Sequence, residues 1–156
     1  MSDNASLFIR SGEPAGVVAR WLCGALGLER AAGAGDGEVG LRGRAVTVDD
    51  GWLGFIVRPN GYADVDPGPE DVQAMDGYPV EVDIRFGGRD DDVLKAEGKA
   101  AFERVVAVRP DLAVLLCHNL SLLVAAYLPG VGIKYFGPGT TPDAQDEGTW
   151  GPWVRG

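Results

Sequence analysis

Histidine and cysteine are scarce in this chain, which holds one histidine, His118, and two cysteines, Cys23 and Cys117. Two cysteines do not make a disulfide framework. Each lies in an apolar run, Trp21-Leu22-Cys23 and Leu115-Leu116-Cys117, where a reduced thiol serves as a small hydrophobe. Basic residues are also few: 14 Lys and Arg stand against 23 Asp and Glu, a formal net charge of −9. A nucleic-acid binder needs a basic footprint to neutralise phosphate, and an anionic membrane surface asks for the same. The charge balance argues against both. No apolar run is long enough to span a bilayer, and the first ten residues lack the basic stretch and long apolar core of a signal peptide. The expected compartment is the cytoplasm.

Cofactor and metal motifs are missing too. Gly33-Ala-Gly35-Asp-Gly37 lacks the spacing and strand–helix setting of a dinucleotide fingerprint, and Gly137-Pro-Gly139-Thr140-Thr141 lacks the lysine of a phosphate loop. Asp64-Val-Asp66-Pro-Gly-Pro-Glu70-Asp71 has the acids of a calcium loop, but its prolines and misplaced glycine spoil the pattern. No metal and no cofactor is expected. Cys117-His118-Asn119 invites comparison with a thiol hydrolase. Neighbouring strand residues point to opposite faces, however, and such catalytic groups normally meet from distant parts of the chain. No catalytic residue is assigned.

What the chain does have is enough apolar sequence for one core: 156 residues, 46% hydrophobic. Its 24 glycines mark segment boundaries. A first strand is expected at residues 5–10, then a helix after Pro14 with Val18, Trp21, Leu22, Ala25 and Leu26 on one face. Residues 38–58 read as a meander of strands around the turn Asp49-Asp50-Gly51. Residues 59–77 form a long Pro/Gly-rich connection with a short helical turn at Glu70–Met75. The clearest strand is Tyr78–Phe86, with Tyr78, Val80, Val82, Ile84 and Phe86 inward and Glu81, Asp83 and Arg85 outward. Asp90-Asp91-Asp92 opens a second helix that buries Leu94, Gly98, Ala101, Phe102, Val105 and Val108 and ends at Pro110. Strands at Leu112–Cys117, Ser121–Leu128 and Ile133–Phe136 follow. The fold class is α+β: a mainly antiparallel sheet with two helices packed on one face, formed by residues 1–136. A tail at 137–156, rich in Gly and Pro, carries Trp150 and Trp153 and is expected to fold back on that domain.

Charge is concentrated in residues 64–92, with ten acids against two bases, Arg85 and Arg89, a net of eight negative charges. Such a stretch is either a solvated face or a surface that steers a basic protein partner. The expected partner-binding residues are Tyr62, Asp64, Asp66, Glu70, Asp71, Asp76, Tyr78, Glu81 and Asp83, with the tyrosines as aromatic anchors. A pocket near His118, in a small enzyme or ligand-binding domain, is the alternative reading. A structural subunit that pairs along Ser121–Leu128 is another.

The single-domain size, the strand–helix–strand block Tyr78–Cys117 and the acidic residues Glu81 and Asp83 together resemble, at the level of the class, the small immunity proteins of bacterial polymorphic-toxin systems. That resemblance implies a bacterial, non-catalytic inhibitor that binds and neutralises a toxin, commonly a basic protein. No residue role is carried over from the class.

Overall fold

Strand pairing places β5 (Val80–Phe86) and β1 (Ala5–Ile9) at the centre of one eight-stranded antiparallel sheet. The spatial order is β2 (Glu29–Ala31), β3 (Val39–Arg44), β4 (Trp52–Pro59), β5, β1, β6 (Val114–His118), β7 (Leu122–Leu128) and β8 (Gly132–Tyr135). This is a computed structural model that describes residues 3–155. The sheet is flanked by three helices rather than the two expected: α1 (Ala15–Leu26), α2 (Asp91–Val108) and α3 (Glu147–Val154).

Helices α1 and α2 lie on one face, called inner here. Period two sends Leu7 and Ile9 of β1, Val82 and Ile84 of β5, and Val114 and Leu116 of β6 toward them. Val18 and Leu22 of α1 and Leu94, Phe102 and Val105 of α2 complete this core. Helix α1 ends at Gly27, whose φ of 65° is the left-handed conformation that a helix terminus of this type requires. Helix α2 is capped by Asp90, whose carboxylate accepts the N–H groups of Asp92 and Val93. Glu97 is buried on α2, and its two oxygens accept the N–H groups of Val46 and Thr47, both at 2.7 Å. It thereby ties the β3–β4 connection to the helix. Val108, expected in the buried stripe, is the last residue of α2 and is 40% exposed.

The outer face has its own core, which sequence periodicity does not suggest. Phe8, Leu115, Cys117 and Leu123 point outward from β1, β6 and β7. Residues 72–78 and the C-terminal segment cover them with Met75, Tyr78, Trp150 and Val154. Helix α3 is the departure from the expected tail. Gly148, Gly151 and Pro152 make it a poor helix by propensity. Burial of Trp150 and Val154, at 0% and 1% exposure, holds it instead. Arg10 and the Tyr78 hydroxyl both donate to the Val154 carbonyl at its end.

Helix α2 approaches β1 so closely that a Cβ on Gly98 would come within 3.0 Å of Ala5 Cβ, whereas one on Gly24 of α1 would meet nothing within 4 Å. Chemical denaturation should therefore separate two identical substitutions. Gly98→Ala is expected to destabilise by about 1–2 kcal/mol through overpacking. Gly24→Ala is expected to stabilise by about 0.5–1 kcal/mol through helix propensity.

Candidate functional site

The acids of residues 64–92 divide into two groups. Glu81 and Asp83 are buried, at 1% and 2% exposure, although period two predicts a solvated outer face for β5. The reason is their position: β5 is a central strand, and the neighbouring strands supply polar partners on that face. Arg58 of β4 reaches Glu81 Oε1 at 2.8 Å and Asp83 Oδ2 at 3.4 Å. Asn4 donates to Asp83 at 2.8 Å, and Arg85 lies 3.2 Å from the same carboxylate. Hydrogen bonding to Glu81 holds the Arg58 guanidinium above its ordinary pKa, against the opposing effect of desolvation. Glu81 and Asp83 are therefore structural counter-ions rather than a contact surface.

Tyr78 is also corrected. It was expected inward with Val80, but it precedes Pro79 and the start of β5, and it turns into the outer core, where it is fully buried. Its hydroxyl donates to the Val154 carbonyl at 2.9 Å, and the Arg10 guanidinium stacks 4.8 Å from its ring centre. Asp76 is half-buried and accepts the Gln73 N–H at 2.8 Å, closing a capping box on a 3₁₀ turn at Ala74–Gly77. That turn lies further along the chain than the expected Glu70–Met75.

The remaining expected residues stay at the surface on one loop. Asp64, Asp66, Glu70 and Asp71 are exposed, and Tyr62 is 46% exposed with its ring edge-on to Phe8. Val65, between Asp64 and Asp66, is fully exposed, which makes it an apolar tip among acids. The loop is shaped by its own acids: Asp64 donates its N–H to Asp76 and accepts that of Asp66 at 3.1 Å.

His118 sits at the end of β6, buried, with Nε2 at 3.0 Å from Asp91 Oδ1. Desolvation works against the Asp91 carboxylate, but Lys95 and His118 outweigh it and keep its pKa below the usual range. Cys117 points to the opposite face, and burial pushes its thiol up to about 12, so it is no nucleophile partnered by this histidine. Asn119 is occupied structurally: it exchanges hydrogen bonds with the Asn4 backbone and donates to Asp3. Beside His118, α2 and β6–β7 leave a cavity of about 280 Å³ walled by Leu116, Leu122 and Val124, with Lys95 and Lys99 at its lip. Among the described residues, no three His, Cys, Asp or Glu side chains cluster to hold a metal ion.

One group escaped the sequence reading. On the outer face of β3 and β4, Trp52 lies under two guanidiniums, with Arg42 and Arg44 at 5.4 and 5.1 Å from its ring. The alternation Arg42-Gly43-Arg44, one residue out of phase with Leu41, was the available signal. No family model, no curated protein and no solved structure matches the chain.

Two measurements check this division. Arg58→Ala removes the shared partner of two buried carboxylates and is expected to cost about 2–4 kcal/mol in denaturant unfolding. Tyr78 supplies a pH signature. Burial raises its pKa from 10.0 to about 12, more than Arg10 lowers it. The folded state thus holds a proton that the unfolded chain releases, so stability is expected to fall as pH climbs from 10 to about 12. Tyr78→Phe should flatten that alkaline limb and cost about 1–2 kcal/mol at neutral pH, through loss of the hydrogen bond to Val154 and the longer one from Arg10.

Proposed function

We propose that the chain is a non-catalytic acidic binding protein of the immunity type, which neutralises a basic toxin or enzyme by docking through residues 62–71. The observation that carries this reading is the separation of the acids. Glu81 and Asp83 are paired with Arg58 and Arg85, Asp76 and Asp90 cap local structure, and Asp91 faces Lys95 and His118. Asp64, Asp66, Glu70 and Asp71 have no cation within ion-pair distance among the described residues. Uncompensated carboxylates on one loop, with Tyr62 and Val65 among them, join long-range attraction to a basic surface with a short apolar contact. The field accelerates encounter and the apolar tip slows release.

The cytoplasmic setting and bacterial role belong to the same proposal. The partner is to be retrieved by pull-down from the source organism, or taken as the toxin encoded beside this gene. Reversal of charge at Asp64, Asp66, Glu70 and Asp71 to lysine is expected to slow association about tenfold at low salt and to flatten its salt dependence. Dissociation should change less. Kinetics unchanged across the series would remove the reading, and would favour the alternative of a ligand-binding domain using the cavity beside His118.

A further inference from the structure

The two inner helices leave part of the sheet uncovered. Helix α1 packs on β3 and β4, and α2 packs on β1, β5 and β6. Beside α2, Leu122 and Val124 of β7 remain half-buried. A bulge sets their position: Leu123 pairs with Cys117 and Ala125 with Leu116, so Val124 is one residue in excess. The facing residues of α2 are small, Ala96 and Gly98, and the cavity of about 280 Å³ lies between these two walls. Its polar groups are few: Lys95, Lys99 and His118 line it, and no acid does. Cys117 also lines it, but its thiol points into the outer core. Lys95 is paired with Asp91 at 3.2 Å. Lys99 has no carboxylate within ion-pair distance among the described residues, and rests 5.1 Å from the Tyr135 ring centre. Glu103, one turn further along α2, is bonded to the Tyr135 hydroxyl. His118 is 6% exposed. Its Nε2 faces Asp91, and its Nδ1 has no hydrogen-bond partner among the described residues. A buried ring nitrogen in that state is uncommon, and here it belongs to a residue that lines a cavity.

We propose that this cavity binds a small apolar monocarboxylate, with its hydrocarbon against Leu116, Leu122 and Val124 and its carboxyl group between Lys99 and His118. Ligand cavities bury most of a small molecule against apolar walls, while a few polar groups fix its orientation. The chemistry at the His118 end selects the carboxyl group. With Nε2–H turned to Asp91, a neutral imidazole offers Nδ1 as an acceptor, and a protonated ring offers Nδ1–H as a donor. A carboxyl group completes either form, because the proton between it and Nδ1 belongs to one partner or the other. Lys99 adds a positive charge that no carboxylate of the described residues meets. An amine would face two ammoniums and no acid, and an alcohol would leave Lys99 unpaired. The cavity lies on the inner face, whereas Tyr62 and the loop that follows it lie on the outer face against Phe8. The inference therefore does not rest on the inhibitor reading, and either can fail while the other stands.

Isothermal titration calorimetry of the full chain with octanoate tests it. The wild type is expected to bind one octanoate with a Kd of about 10–100 µM. Hexanoate should bind about tenfold more weakly, for two methylenes fewer against the apolar wall. Octan-1-ol should bind at least about tenfold more weakly, for want of the charge that meets Lys99. Lys99→Glu should weaken octanoate at least about tenfold. Ala96→Phe, at an exposed position of α2 beside the cavity, should abolish binding by filling it. His118→Phe keeps a planar ring without its nitrogens and should weaken binding about fivefold. Circular dichroism checks that each variant is folded, and both Lys99 and Ala96 are surface positions with little packing to lose. The variant with Asp64, Asp66, Glu70 and Asp71 reversed to lysine should bind octanoate as the wild type does. Absence of saturable binding up to about 1 mM octanoate overturns the proposal. So does octan-1-ol binding as tightly as octanoate, or wild-type affinity in folded Lys99→Glu and Ala96→Phe.

Discussion

A guanidinium at the middle of the sheet sets much of this structure. Arg58 lies between Glu81 and Asp83 on the outer face of β4 and β5; without it Glu81 would be buried with no cation, and Asp83 would keep only Arg85 and Asn4. Isolated buried charge costs several kcal/mol, so the pairing of β4 with β5 and the burial of that face are one constraint. Asn4 and Ser6 extend the network into β1, which joins the central three strands through side chains as well as backbone. Once this polar seam is neutral, the outer face can carry a second hydrophobic core beside it. Phe8, on the strand adjacent to the seam, is where that core begins.

The second core explains why the long connection and the C-terminal segment are ordered. Residues 72–78 and α3 bury Met75, Tyr78 and Trp150 on the outer strands, and Val154 is held by Arg10 and Tyr78. The loop at 62–71 is what that packing leaves over: a span pinned at Tyr62 and Asp76 whose acids meet no cation among the described residues. Order at both ends and exposure between them suit a surface that recognises without folding first, which limits the entropy lost on binding.

Much of the fold was legible in the sequence. The inward residues of β5 from Val80 onward follow from period two, those of α2 from Leu94 to Val105 follow from period 3.6, and Asp90 at the head of α2 is a cap by residue type. Three features were not. The outward positions of β5 read as solvated because their partner, Arg58, sits over 20 residues earlier on another strand. Tyr78 looked like the first inward residue of a strand that starts after Pro79. Helix α3 has the composition of a coil, and only tertiary burial of Trp150 makes it helical. The site was legible to the same degree. The exposed acids of the loop could be named from the sequence, while the arginine–tryptophan patch became visible only when β3 and β4 were set in register.

In the proposed function the uncompensated loop, and not the acidic stretch as a whole, is the recognition surface. Hydrogen–deuterium exchange of the chain, alone and bound to its captured basic partner, addresses this most directly. New protection is expected at residues 62–71, with the amides around the buried Glu81 and Asp83 unchanged. Protection confined to α2 and the strands around His118, with the loop exchanging as freely as before, would contradict it.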